Sequence, residues 1–563
     1  MRAVFNNEVS IVLAGEAGQG IQSIESMLAA LIKRDGYHLL ATKEYMSRVR
    51  GGINSTELRV ASKRVQAYVS RIDILIPLDK AALPHLKNRI TSKTVILGEK
   101  DKLENASVID IPFSKLGAEL GNVIYSSTIA VGLIGGLLKI DEQKMYEYIS
   151  AYFSKKSEEI KKKNIEAAKI GYELAGKLAQ SIDINIARAC CTEEEVMFNG
   201  SDAVALGALA GGCNFVCAYP MTPGTGVFTA LAGYSKTMGI VVEQVEDEIG
   251  VMNMALGAWY AGARALVSTS GGGFALMTEA ISLAGMIESP AVIHLAQRPG
   301  PATGLPTRTE QGDLNLVLYA GHGEFPRIIL APGNTAQAFF LSQKAFNLAD
   351  KYQLPVFILT DQYFVDTYYN IPEPKLDGLK VIKNIIETKK GYKRYEYSDC
   401  GISPRGIPGF GEGLVCADSD EHDEEGRITE DLDGVRVPMT KKRMLRAEQV
   451  EKNVIAPDLL GAKAYSTLIV CWGSTLNTIV EALELSGKKD IGVLHYTQVY
   501  PLHASTEQYL KKAKKVVLIE NNAGANFGRL IKSEIGIDIP NKILKYNGMP
   551  FSVEEVLAEI EKL

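Results

Sequence analysis

Short strand-like runs, mostly apolar, recur through the middle of this chain, at residues 215–218, 240–242, 265–269, 291–295, 328–330 and 356–360, and helical stretches separate them. Runs that are apolar throughout suit strands buried on both faces. Strands alternating with helices build a mostly parallel, doubly wound sheet. Such a sheet takes its ligands outside the carboxyl ends of its strands. The spacing repeats near both ends of the chain. Residues 9–14, 72–78 and 95–97 are strand-like, and so are 466–470, 491–494 and 515–519.

The chain has 563 residues, room for roughly three to five domains. Five segments are expected. Residues 1–180 form a first α/β domain, and 181–196, without amphipathic periodicity, form a linker. Residues 197–372 hold the doubly wound domain. Residues 373–453 are irregular: nine acids and one Arg fall within 418–433, and Lys441-Lys442-Arg443 follows. That composition suits a surface excursion or an interface segment. Residues 454–563 form a last α/β domain ending in an amphipathic helix.

Composition removes several classes. Hydrophobic residues make up 46% and charged residues 23%, so the chain can fill sizeable cores. A net charge of −5 gives no field for nucleic acid or an anionic membrane. Seven Cys with no C-x-x-C are no disulfide framework, and a reducing cytoplasm is expected. The first residues lack a signal-peptide pattern. The most apolar run, 123–138, is shorter than the ~20 residues of a bilayer span and is expected as a buried helix.

Several segments could carry chemistry. Gly15-x-x-Gly18-Gln19-Gly20 lies where a strand meets a helix. Backbone N–H groups there could receive a phosphate, and a tight packing turn fits equally. The basic segment Lys43 to Arg50-Gly51-Gly52 suits an anion or an exposed turn. After the run 215–218, Thr222 is expected as helix N-cap with Pro223 at the first helical position. Glu246-Asp247-Glu248 opens a long helix of small residues; acids there complement the helix dipole, or one carboxylate holds a proton at an interface. Ser268–Gly273 is a second glycine-rich turn at the same edge. Arg298 follows the run 291–295, where it could clamp a substrate carboxylate or form a structural ion pair. Arg308-Thr-Glu-Gln311-Gly-Asp313 comes next.

No P-loop, no G-x-S-x-G elbow, no cluster-binding cysteine set and no metal-ligand histidine spacing occurs, so no metal site is expected in this chain. The chain offers binding segments without a chemical engine. A borrowed organic cofactor or a partner subunit is implied.

Together the segments AYPMTPGTG, EDEIGVMNMALGAWYAGARALVSTSGGG, RPGPATGLPTRTEQGDL and WGST…VLIENNAGANFG resemble the alpha subunit of 2-oxoacid:ferredoxin oxidoreductases. The N-terminal GEAGQGIQ…KEYMSRVRGG resembles the gamma subunit of the same enzymes. The resemblance implies a multidomain α/β fold: a gamma-type domain, a pyrimidine-type doubly wound domain of thiamine diphosphate enzymes, and a domain like the transketolase C-terminal one. It implies coenzyme-A-dependent oxidative decarboxylation of a 2-oxoacid, with 2-oxoglutarate first and pyruvate or a branched-chain acid next, or the reverse carboxylation. Thiamine diphosphate would be shared with a beta subunit carrying Mg²⁺ and a 4Fe–4S cluster. Ferredoxin would accept electrons from a cytoplasmic α2β2 assembly.

By position, Glu248 would meet the aminopyrimidine ring of the cofactor, with Glu246 as its rival. Tyr219, Pro220, Gly271 and Gly272 would line the cofactor. Thr222 and Arg298 would hold the substrate carboxylate, and Arg308 a distal one. Gly15, Gly18, Gln19, Gly20, Lys43, Arg50, Gly51 and Gly52 would bind coenzyme A. The chain departs from the family segment at Met221 and Gly224-Thr225, where the side-chain pocket would differ. A non-catalytic adaptor with the same fold is the competing reading; retention of Thr222, Glu248 and Arg298 together argues against it.

Overall fold

The computed structural model describes residues 2–16, 21–47, 52–105, 107–190 and 192–563. The chain divides into two units. One comprises Met1–Phe198, Thr367–Pro374 and Ser552–Glu554; the other comprises Asn199–Asp366, Lys375–Phe551 and Glu555–Leu563.

In the first unit the run expected at 9–14 becomes the strand Glu8–Glu16, whose Val9, Ile11, Val12, Leu13 and Ala14 are fully buried. It lies in an eight-stranded sheet ordered Ile109–Asp110, Val95–Gly98, Ile74–Pro77, Glu8–Glu16, Ile53–Ala61, His38–Glu44, Tyr368–Ile371 and Val196–Phe198. The opening is not purely parallel. Glu8–Glu16 runs parallel to Ile74–Pro77 but antiparallel to Ile53–Ala61 over nine residues. Between them in sequence lie the helix Ile21–Arg34 and the strand His38–Glu44, which also pairs antiparallel with Ile53–Ala61, and strand periodicity alone carries no direction.

The buried helix expected at 123–138 is Ser126–Leu137, preceded by a 3-10 turn whose Val123 and Ile124 are exposed. It packs on Glu158–Leu178 at near backbone contact. A Cβ on Gly132 would strike the Ala168 carbonyl, and one on Gly171 the Ile129 carbonyl. Glycine at these two positions lets the helices approach. The segment expected as a linker is built into this unit. Ile182–Asn185 pairs parallel with Ala3–Asn6, and Val196–Phe198 pairs antiparallel with Tyr368–Ile371. Strands of three or four residues leave no periodicity to read.

The second unit carries two sheets. The seven-stranded one is ordered Val241–Gln244, Phe215–Ala218, Ala265–Thr269, Ala291–Gln297, Pro355–Asp361, Ile328–Leu330 and Gln498–Tyr500. All its pairings are parallel except the last. Ala291–Gln297 and Pro355–Asp361 are buried at every residue, which explains their mostly apolar composition. Each fully buried Val, Leu or Ile is worth about 1.5–3 kcal/mol over an exposed one. The five-stranded sheet is ordered Asp458–Gly461, Ile491–Tyr496, Thr467–Trp472, Lys515–Glu520 and Asn541–Leu544, with only the first strand antiparallel.

The region expected as a surface excursion is largely irregular up to 431 and then forms the helix Val437–Glu451. It is anchored by buried charge. Lys442 Nζ lies 2.8 and 2.7 Å from the two Glu288 carboxylate oxygens. Arg405 and Arg264 each bond Asp350, at 2.8 and 2.7 Å. Lys442 and Arg443 are therefore buried, which a surface excursion would not give. Among the described residues no helix is long and apolar enough to cross a membrane.

Candidate active site

Parallel pairing brings the turns after Phe215–Ala218, Val241–Gln244, Ala265–Thr269 and Ala291–Gln297 to one edge of the seven-stranded sheet. Asp361, at the end of Pro355–Asp361, reaches the same edge.

The helix Glu248–Tyr260 starts there. Asp247 caps it, its Oδ1 accepting from Gly250 N–H at 2.7 Å. With Asp247 engaged, the three neighbouring acids separate: Glu246 and Asp247 are exposed, while Glu248 is 4% exposed. Glu248 Oε1 is buried with no hydrogen-bond partner among the described residues. A carboxylate oxygen in that condition costs free energy unless another group meets it. Its neighbour is the glycine turn. A Cβ on Gly273 would lie 2.8 Å from Glu248 Oε1 and would strike Thr269 Oγ1. Ser270 Oγ, fully buried beside it in sequence, also lacks a partner.

Thr222 and Arg298 are brought together. Arg298 Nη1 donates to the Thr222 carbonyl at 2.6 Å, and Arg298 Nε is buried without a partner among the described residues. A Cβ on Gly272 would be in ordinary van der Waals contact with Met221 Sδ at 3.8 Å, the Ala302 carbonyl at 3.9 Å and Arg298 Nη2 at 4.0 Å, so the turn runs beside the guanidinium. Burial lowers the Arg298 pKa and the charge of Asp313 raises it again.

Thr222 does not cap the helix as expected. The helix is Thr225–Met238, with Gly224 at the cap position and no side-chain cap bond. The reason is a backbone contact: Gly224 sits against the Thr269 carbonyl, where a Cβ would collide. Ser268 Oγ donates to the Gly224 carbonyl at 2.7 Å and fixes the approach. Its oxygen then accepts from His294 Nδ1 at 2.9 Å, which leaves His294 Nε2 to accept from Thr360 Oγ1 at 2.8 Å. His294 is held neutral, its pKa pushed down to about 3 by burial.

Sequence reasoning missed Gly273 and Asp313 as members of this site, although both lie inside quoted segments. Asp313 is pushed up to about 7 by burial and by Glu310, with Arg298 opposing. Tyr219 and Pro220 are exposed just beyond Phe215–Ala218. Arg308 lies against the loop at Gly548 and Met549, its Nη1 3.7 Å from Met549 Sδ. Gln311 ties this region to the five-stranded sheet: it donates through Nε2 to the Trp472 carbonyl at 2.8 Å and accepts from Asn521 N–H at 2.9 Å.

In the first unit, Gly15 lies in Glu8–Glu16 and Lys43 in His38–Glu44. Gly52 has φ +87° and packs on Met46. Gly18, Gln19, Gly20, Arg50 and Gly51 lie outside the described residues. At the carboxyl ends of Ile74–Pro77 and Val95–Gly98 a cavity of about 400 Å³ is lined by Pro77, Leu78, Glu99, Lys102, Leu103 and Ile124, among others. Among the described residues no His, Cys, Asp and Glu group is arranged to hold a metal ion.

Comparison with known proteins matches two families. Residues 206–441 match the family described as pyruvate flavodoxin/ferredoxin oxidoreductase, thiamine diphosphate binding. Residues 10–174 match pyruvate ferredoxin/flavodoxin oxidoreductase. A 2-oxoacid:ferredoxin oxidoreductase subunit alpha from a Sulfolobus species is 32% identical, over 98% of this chain and 97% of that protein. The 2-oxoglutarate synthase subunit KorA of Methanocaldococcus jannaschii is 34% identical, over 58% of this chain and 88% of that protein. The 2-oxoglutarate:ferredoxin oxidoreductase structure of Magnetococcus marinus, with 2-oxoglutarate, coenzyme A and succinyl-CoA bound, superposes with a TM-score of 0.91, at 30% identity and 99% coverage of both chains.

Proposed function

The chain belongs to the alpha-subunit family of the 2-oxoacid:ferredoxin oxidoreductases, and on that premise we propose that it is a gamma–alpha fused subunit acting on 2-oxoglutarate. The reaction is coenzyme-A-dependent oxidative decarboxylation to succinyl-CoA and carbon dioxide, or its reverse. A relative named 2-oxoglutarate synthase and a similar structure holding 2-oxoglutarate support this choice over pyruvate or a branched-chain acid. Thiamine diphosphate is shared with a beta subunit that brings Mg²⁺ and a 4Fe–4S cluster, in an α2β2 assembly that reduces ferredoxin. The described cysteines are all free, in keeping with a reducing cytoplasm.

One observation carries the reading: the buried Glu248 Oε1, unpartnered among the described residues, beside the glycine turn at Gly273. These residues fit thiamine diphosphate. Glu248, Ser270 and the Gly271–Gly273 turn would hold its pyrimidine side, with Tyr219 and Pro220 at the mouth. When bound, the cofactor supplies carbanion stabilisation next to the departing carboxylate. Glu248, buried with Oε1 unpartnered among the described residues, would face the cofactor's pyrimidine ring and exchange a proton with it there. Arg298 keeps Nη1 on the Thr222 carbonyl and turns its remaining donors to the substrate carboxylate. Thr222 orients that carboxylate, and Arg308 meets the distal one. Gly15 and Lys43, with Gly18, Gln19, Gly20, Arg50, Gly51 and Gly52, bind coenzyme A.

The test is co-expression with the beta subunit, anaerobic purification and coenzyme-A-dependent viologen reduction with 2-oxoglutarate, pyruvate and 2-oxoisovalerate. Activity with 2-oxoglutarate, lost in Glu248→Ala and Arg298→Ala, is expected. A loaded complex that reduces viologen with none of the three would favour the adaptor reading.

A further inference from the structure

The glycine turn after Ala265–Thr269 is closed on one side by Asp313. A Cβ on Gly271 would be 2.5 Å from the Asp313 carboxyl carbon, so the carboxyl rests on the Gly271 Cα. A Cβ on Gly272, one residue further, would face Arg298 Nη2 at 4.0 Å. Asp313 and Arg298 therefore reach consecutive residues of one turn.

Backbone bonds fix them there. The Arg298 N–H donates to the Asp313 carboxylate, and Asp313 N–H donates to Gln297 Oε1 at 3.0 Å. Gln297 Nε2 is held in turn by the Thr360 carbonyl at 3.0 Å. Two polar atoms stay incomplete in this frame: Asp313 Oδ2 and Arg298 Nε are both buried with no partner among the described residues. A cation and an acid lie close together, and neither completes the other.

We propose that Asp313 is a positioning residue for substrate binding: it competes with the 2-oxoacid carboxylate for the charge of Arg298, and the substrate binds the form in which Asp313 carries its proton. This rests on the reading of Arg298 as the carboxylate grip. A proton is taken from solvent as the substrate binds and returned as the site empties. The charged groups facing Asp313 are Arg298, from the turn after Ala291–Gln297, and Glu310, from its own loop. The Ser270–Gly273 turn brings no titratable side chain. With the Asp313 pKa at about 7, the proton moves on and off in the working range.

The experiment measures the KM for 2-oxoglutarate against pH in the purified complex with its beta subunit. In the wild type KM rises as pH climbs through about 7, by about tenfold for each unit by which bound substrate raises the Asp313 pKa. Asp313→Asn keeps the shape and removes the titration, so its KM stays flat at the low-pH value. Glu310→Gln removes a like charge and moves the rise to lower pH. A flat wild-type KM, or a rise that persists in Asp313→Asn, overturns the proposal. Should Asp313→Asn not assemble, an unshifted rise in Glu310→Gln overturns it. An active wild type with either result leaves the proposed function standing. A complex that turns over no 2-oxoacid at any pH removes the function and this inference with it.

Discussion

Gly273 and Glu248 share one small space: a Cβ on Gly273 would lie 2.8 Å from Glu248 Oε1 and would strike Thr269 Oγ1. The glycine is there for lack of a side chain, since its φ is not positive. The orientation of the Glu248 carboxylate depends on that vacancy. Gly273→Ala should therefore push Glu248 off its position, and a misplacement of ~1 Å can cost about a hundredfold in rate. Gly272→Ala, one residue earlier, meets nothing closer than 3.8 Å and should assemble normally. Viologen reduction and thiamine diphosphate binding by both variants check this. Equal activity in Gly273→Ala and wild type would show that Glu248 needs no such room.

The three acids at the start of Glu248–Tyr260 make a second test. Asp247 caps the helix, Glu246 is exposed and Glu248 is buried. Glu248→Gln keeps the volume and removes the acid, and loss of a proton-transferring group costs roughly 10²–10⁴-fold. Glu246→Gln should stay near wild type. The kcat of each variant with saturating 2-oxoglutarate decides. If Glu246→Gln were the damaging change, the assignment of the two carboxylates would be reversed.

The anchoring of the region 373–453 predicts a stability effect far from the site. Glu288 is fully buried with Lys442 at 2.7 Å and Arg446 Nη1 at 3.9 Å. Burial alone would raise its pKa, but the cations of Arg446 and Lys442 win and hold it at about 2. Glu288→Ala leaves two buried cations without their anion and should cost about 3–5 kcal/mol. Adding Lys442→Met removes one stranded charge and should recover part of that loss. Denaturant unfolding of the three proteins measures it. A double variant no more stable than Glu288→Ala would mean that the Lys442 charge is not stranded by the loss of Glu288.

The central strands of the second unit were legible because they are buried along their length and so mostly apolar, as in Ala291–Gln297. Glu248, Thr222 and Arg298 were legible as a group only through the family resemblance of the motifs that hold them; taken singly, each fits an ordinary cap, dipole or ion-pair role. Other features depend on contacts distant in sequence. Lys442 reads as part of a surface or interface segment, and Glu288, 154 positions away, explains its burial. Asp313 reads as an ordinary loop acid until its N–H is seen on Gln297 Oε1. Thr222 reads as a helix cap by local rules, yet the contact of Gly224 with the Thr269 carbonyl moves the cap two residues on. Local chemistry predicts the elements, and packing between strands decides which polar groups the site keeps.

Glu520 gives a pH-dependent prediction with a definite sign. It is fully buried at the end of Lys515–Glu520. Its Oε1 accepts from Phe527 N–H at 2.9 Å, Asn522 Nδ2 at 2.7 Å and Trp472 Nε1 at 3.2 Å. Burial outweighs these donors and pushes the carboxyl up to about 7 from an ordinary 4.5. The folded state thus keeps a proton that the unfolded state has already released. Below 4.5 both states are protonated and Glu520 costs nothing; from there up through about 7 the folded state binds more protons, so stability falls as pH rises. Glu520→Gln keeps an acceptor for the same donors and cannot ionise. Its thermal midpoint, compared with wild type at mildly acidic and mildly alkaline pH, should gain on wild type as pH rises. Parallel midpoints across that range would mean that Glu520 ionises without penalty in the fold.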